Sequence, residues 1–103
     1  MRLRYTRPAL ADLAAILDYV TAHSPQGASR IRARIQTVIN FLLDHPRIGL
    51  QTEDPTIRRV NTLPYPYLVF YEIAGDEVIV HAVRHGARDP RTMPGALPPD
   101  QTP

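Results

Sequence analysis

Tyr67-Leu68-Val69-Phe70-Tyr71-Glu72-Ile73-Ala74-Gly75-Asp76-Glu77-Val78-Ile79-Val80-His81-Ala82-Val83-Arg84-His85 is the stretch whose pattern decides the fold. Two runs rich in aromatic and β-branched residues flank Ala74-Gly75-Asp76-Glu77, and Gly-Asp between such runs signals a two-residue hairpin turn. With Gly75 and Asp76 as the turn, Ala74 pairs with Glu77, and each step outward pairs one residue from each strand. One face then carries Tyr67, Val69, Tyr71 and Ile73 with Val78, Val80, Ala82 and Arg84. The other carries Leu68, Phe70 and Glu72 with Ile79, His81, Val83 and His85. Burying the first face strands no charge except Arg84 at its end, so this is the face expected to receive the rest of the core. The second is expected to look outward, where Leu68, Phe70, Ile79 and Val83 would form an apolar patch of the kind that marks a partner site. Cover by the loop at 46–56 or by the end of the chain is the alternative.

Upstream, the periodicity changes from two to between three and four. Leu10, Leu13, Leu17 and Val20 recur at helical spacing after Arg7-Pro8, which predicts Arg7 as the cap and Pro8 as the first helical residue. Ser24-Pro25 repeats the start signal, and the second stripe runs Ala28, Ile31, Ile35, Val38, Ile39 and Leu42 until His45-Pro46 stops it. Two long helices with so short a link fold back as a hairpin around a common core. Residues 2–6 alternate as a short strand, 46–56 read as a loop, and Ile57–Leu63 reads as a further strand before Pro64-Tyr65-Pro66. The expected fold is therefore α+β, in the order β-α-α-β-β-β, with the helical hairpin packed on a small, mainly antiparallel sheet. Residues 1–90 are expected to form a single domain, and 91–103 a proline-rich tail without a core of its own.

Composition narrows the function. With 103 residues, 44% of them hydrophobic, the chain has material for one core and not for two. Cysteine is absent, which excludes disulfides and thiolate metal sites. No apolar run approaches the roughly 20 residues of a membrane span, and the start lacks a secretory apolar segment, so a cytoplasmic protein is expected. All twelve basic residues are Arg, yet the net charge is only +2, too small for a strong general polyanion binder. There is no phosphate-binding glycine loop and no nucleophile elbow, and no cofactor is expected. His81 and His85, four residues apart on a strand, stand about 13 Å from each other and cannot share an ion, so no metal site is expected either.

The remaining chemistry lies on the mixed face. Glu72 and His81 are diagonal neighbours there, and a carboxylate with an imidazole can serve as acid and base in metal-free RNA cleavage. They can equally form a surface ion pair. Arg58 and Arg59 before the hairpin, with Arg84 and Arg88 after it, suit phosphates or an acidic partner peptide.

The ordered set of Ala9–Tyr19 with Asp12-Leu13, His45-Pro46-Arg47-Ile48-Gly49, Arg58-Arg59-Val60, Tyr67–Ile73 and His85-Gly86-Ala87-Arg88-Asp89-Pro90 resembles the RelE/ParE superfamily of bacterial type II toxins. The resemblance spans residues 3 to 90. It implies a toxin neutralised by a cognate antitoxin whose C-terminal segment wraps its surface, with Leu68, Phe70, Ile79, Val83, Arg58 and Arg84 as the candidate partner-binding residues. It also implies one of two targets. Members that cut mRNA on the ribosome carry an arginine that falls at Leu68 here, two lysines that fall at Arg59 and Asn61, and a tyrosine that falls near Pro94. Only Arg59 and, after the last strand, Arg88 keep the expected charge, and a phosphate clamp without its central arginine lacks charge stabilisation where cleavage needs it. The resemblance therefore favours the ParE branch, a non-enzymatic inhibitor of DNA gyrase. The alternatives are a ribosome-dependent mRNA endoribonuclease using Arg59, Glu72, His81, His85 and Arg88, and a non-toxic paralogue that only binds an antitoxin.

Overall fold

Thr6 and Ser24 start the two helices. The Thr6 hydroxyl accepts from the Ala9 amide at 3.2 Å and that of Ser24 from the Gly27 amide at 2.9 Å, each satisfying a donor that a helix start leaves unpaired. The cap of the first helix is thus Thr6, one residue before the expected Arg7, because Arg7 has no oxygen with which to accept. Ser24 serves twice: its own N–H closes the first helix on the Val20 carbonyl at 2.7 Å while its side chain opens the second. The computed structural model describes residues 1–87 and Pro94. Its elements are β1 (Arg2–Tyr5), α1 (Arg7–His23), α2 (Pro25–Asp44), β2 (Leu50–Gln51), β3 (Arg58–Thr62), β4 (Tyr65–Ala74) and β5 (Glu77–His85). Arg88 and the expected tail lie outside the described residues, Pro94 apart. No helix of the described residues is long and apolar enough to cross a membrane.

The strands form one mixed sheet in the order β1-β5-β4-β3-β2, with β1 parallel to β5 and every other pair antiparallel. One strand was not foreseen. Inside the expected loop at 46–56, Leu50 and Gln51 pair with Arg59 and Arg58 and extend the sheet by two residues. Both helices pack on a single face. Ala9 and Leu17 of α1 and Ile31, Ile35 and Ile39 of α2 share a core with Tyr67, Val69, Val80 and Val83, while Leu42 meets Tyr71 and Val78 beside it. Ala9, near the start of α1, and Ile39, near the end of α2, belong to one cluster, so the helices fold back on each other as the short link requires.

The hairpin register corrects the expectation at one place. Ala74↔Glu77 through Tyr71↔Val80 pair as expected, but Phe70 faces Ala82, Val69 faces Val83, Leu68 faces Arg84 and Tyr67 faces His85. His81 is the extra residue of a β-bulge, and every later residue of β5 changes face. A regular ladder would drive Arg84 under the helices and turn Val83 to solvent. The bulge does the reverse: Val83 joins the helix-side core, and Arg84 leaves it. The cost of an unpaired guanidinium beneath two helices far exceeds that of one ladder irregularity. His85 also changes face; its ring meets that of Tyr67 edge-on at a centroid distance of 5.6 Å.

Candidate functional site

The face turned away from the helices is not the open apolar patch expected from the pattern. Phe70 and Ile79 are 1% and 4% exposed, and Val83 has moved to the opposite face. Ile79 lies in register between Arg4 and Glu72, flanked by the Arg4–Glu77 contact at 3.1 Å and the Glu72–His81 contact at 2.8 Å. Phe70 lies between Arg59 and Ala82. These side chains are therefore unavailable to a partner unless the surface around them opens.

An open hollow lies farther along the same sheet. Ile48, Gly49, Leu50, Arg59, Val60, Asn61 and Leu68 line a depression of about 270 Å³ at the β2–β3–β4 end. Ile48 and Leu50 stand 54% and 67% exposed on its rim. A buried knot holds this rim in place. The Tyr71 hydroxyl, on the helix side of β4, donates to the Pro46 carbonyl at 2.7 Å and accepts from the Gly49 amide at 2.9 Å. Arg58 donates to the carbonyls of Arg47 at 3.1 Å and Gly49 at 2.8 Å. Its expected partner-binding guanidinium is thus engaged with the chain's own loop. Gly49 lets these groups approach, since a Cβ there would lie 2.7 Å from Tyr71 Cε1 and 2.9 Å from the Arg59 carbonyl oxygen. Burial pushes the Tyr71 hydroxyl above its ordinary pKa, opposed in part by the Gly49 N–H and the Arg58 charge.

The expected catalytic set is only partly assembled. Glu72 Oε1 and His81 Nε2 meet at 2.8 Å, both about one-third exposed, so the bulge brings these two together. Arg59 stands one strand away, in register with Phe70 and exposed. His85 faces away from the pair, with its Nδ1 accepting from the Ala87 amide at 3.0 Å. Arg88 lies outside the described residues, as noted. Arg84 is drawn to α1, where its Nε sits 3.4 Å from Asp12 Oδ2, and the same carboxylate oxygen accepts from the Val83 amide at 3.1 Å. Asp12 thereby caps the edge of β5 that β1 leaves unpaired after Val80. Among the described residues no group of three or more histidines and carboxylates is placed to hold a metal.

Sequence reasoning missed the hollow's rim and the role of Asp12. Gly49 followed by Leu50 within a polar loop was the available signal for the first. Asp12, the single charge between Ala9 and Leu17 on an otherwise apolar helix, was the signal for the second.

Comparison with known proteins gives the class. Over 84 residues the chain is 37% identical to "Toxin RelE2" of Caulobacter vibrioides, which covers 82% of this chain and 93% of that protein. The solved structure "Chromosomal ParDE TA system from P. aeruginosa" superposes with a TM-score of 0.70 at 26% identity, covering 82% of this chain and 95% of that one. The helical hairpin on a five-stranded mixed sheet is thus the fold of a type II toxin. Residues 3–90 match the ParE toxin of the type II toxin–antitoxin system parDE, and the chain belongs to that family. A toxin of this type has a cognate antitoxin as its partner.

Proposed function

We propose that this toxin acts by binding DNA gyrase and inhibiting it, without cleaving RNA. The observation behind this reading is the chemistry of the hollow. At the positions where ribosome-dependent relatives are expected to carry an arginine and two lysines, this chain has Leu68, Arg59 and Asn61, and all three line the depression beside Ile48 and Leu50. One guanidinium among aliphatic walls suits the apolar core and polar rim of a protein interface. It cannot clamp a phosphate that is gaining charge in a transition state. The cognate antitoxin is proposed to neutralise the toxin by covering the same rim, with Leu68 as the accessible member of the expected partner-binding set.

A second reading rests on the Glu72–His81 contact, which is the geometry of a carboxylate orienting an imidazole for proton transfer. The two readings separate in purified assays of gyrase supercoiling and ribosome-programmed mRNA cleavage. Inhibited supercoiling that is lost in Leu50→Asp and kept in His81→Ala is expected. Cut mRNA that depends on His81, with gyrase unaffected, would overturn the proposal.

A further inference from the structure

Leu68, the β4 wall of the hollow, has an arginine on either side. On the sheet face turned from the helices, Arg84 of β5 lies directly opposite Leu68, just beyond that wall. Asn61 of β3 lies opposite Leu68 on its other side, and Arg59, two residues farther along β3, lines the hollow in register with Phe70. At about 4.8 Å between strands and about 3.3 Å per residue along them, the Cα atoms of Arg59 and Arg84 stand roughly 12 Å apart. Neither guanidinium is satisfied within the chain. Arg59 is exposed and has no ion-pair partner among the described residues. Arg84 Nε lies 3.4 Å from Asp12 Oδ2, but that oxygen already accepts from the Val83 amide at 3.1 Å. Arg84 Nε is the one buried side-chain nitrogen or oxygen among the described residues without a hydrogen bond. Such orphans are uncommon in folded chains and point to a missing partner. The side chain as a whole is 24% exposed, so the rest of the guanidinium can be reached from outside. Glu72, a carboxylate on the same face, is held by His81 at 2.8 Å.

We infer that the hollow reads an acidic–apolar segment of DNA gyrase: one bulky apolar side chain enters against Leu68, and a carboxylate on each side of it bonds Arg59 and Arg84. Gyrase as the source rests on the function proposed above; the acidic–apolar chemistry rests on the two arginines. The volume fits, since about 150 Å³ holds a benzene ring and the hollow measures about 270 Å³. The spacing fits as well. In an extended segment residues i−2, i and i+2 project to one side, so acidic residues two positions before and after the apolar one stand about 13 Å apart, close to the roughly 12 Å between the arginines. A carboxylate matches the planar donor fork of a guanidinium, and charge pairs around an apolar anchor in a pocket are how protein interfaces gain specificity. Nucleic acid suits the site less. No aromatic ring is among the lining residues to stack a base, and Ile48, Leu50, Val60 and Leu68 offer aliphatic walls where a phosphate chain needs donors.

The test uses the full chain and two fluorescein-labelled probes read by anisotropy, the diacid Gly-Asp-Thr-Phe-Thr-Asp-Gly and the diamide Gly-Asn-Thr-Phe-Thr-Asn-Gly. The diacid is expected to bind with a dissociation constant of about 0.1–1 mM, and the diamide at least about fivefold more weakly. Arg59→Gln and Arg84→Gln are each expected to remove most of that discrimination, and Arg59→Lys to keep part of it, because the charge stays and the fork is lost. Circular dichroism and urea melts check that each variant folds. With purified gyrase, wild type is expected to inhibit supercoiling, the diacid probe to relieve the inhibition, and both Gln variants to inhibit at least about tenfold more weakly. Absent or equal binding of the two probes, or discrimination that survives both Gln variants, would overturn the acidic–apolar chemistry while inhibition by wild type left gyrase as the target. Selective binding of the diacid beside uninhibited gyrase would overturn gyrase as the source, and the proposed function with it. A single-stranded oligoribonucleotide that binds more tightly than the diacid, and loses that binding in the same variants, would overturn a peptide in favour of a nucleic acid.

Discussion

Removing one oxygen from the protein, by Tyr71→Phe, tests the account of how the hollow is built. That hydroxyl makes two bonds, donating to Pro46 at 2.7 Å and accepting from the Gly49 amide at 2.9 Å, on a side chain with 0% exposure. A net hydrogen bond contributes about 1 kcal/mol, and a buried partner left unsatisfied costs about 1–3 kcal/mol. Pro46 is half-buried and reaches water more easily than the buried Gly49 amide, so the expected loss is about 2–3 kcal/mol. In a domain of this size that lowers Tm by roughly 10–15 °C. Urea and thermal melts read the global loss, and hydrogen exchange at the Gly49 amide reads the local one. The pH dependence supplies a further check. Burial raises the folded pKa of Tyr71, so its contribution is complete below the unfolded value of about 10 and is lost as pH rises through the folded one. Wild type should therefore lose this contribution as pH rises above about 10, and Tyr71→Phe should lose less over the same span. A melt within about 0.5 kcal/mol of wild type, with Gly49 exchange unchanged, would refute the claim that this hydroxyl holds the rim.

Two other substitutions follow from the corrected register and the edge of β5. Phe70→Glu places a carboxylate where the side chain is 1% exposed, so it should unfold the protein or cost at least about 3 kcal/mol, whereas Leu68→Glu on the half-buried hollow wall should fold normally; equal stability of the two in urea would contradict the burial. Asp12→Ala leaves the Val83 amide and Arg84 unpaired and should cost roughly 1–2 kcal/mol after allowing for partial solvent screening, while Asp12→Asn keeps an acceptor for Val83 and should lose less than half of that; urea melts of the two variants measure the difference.

Much of the fold was legible because its signals are local and agree with one another. Helix starts at Thr6-Arg7-Pro8 and Ser24-Pro25, stripes at three and four, and the Gly75-Asp76 turn each point to the same arrangement, and residues on both sides of Gly75 pair as the turn dictates. Legibility ended at His81. A bulge is decided by what the far ends of two strands must bury, here Val83 against Arg84 under α1, and no turn residue or period announces it. The error propagated: with the face of Val83 inverted, the patch of Leu68, Phe70, Ile79 and Val83 could not exist as drawn. Only the Glu72–His81 contact survived, because the bulge keeps His81 on the side of Glu72. The hollow was not legible for a related reason, since its rim depends on Tyr71, a residue 22 positions from Gly49 along the chain.

The position of β1 governs the order in which the protein can be made. Its partner is β5, so Arg2 waits for Glu77 and Tyr5 for Val80, and the first strand has no place in the sheet until the last has emerged. At about 5–20 residues per second, translation leaves the N-terminal segment unpaired for several seconds after it leaves the ribosome. The helical hairpin, closed by Ser24 alone, can form during that interval, but its apolar face has no sheet to cover until β4 and β5 arrive. A nascent chain therefore stays without its completed sheet until β5 has been synthesised, so the first four paired residues are among the last to be fixed in place.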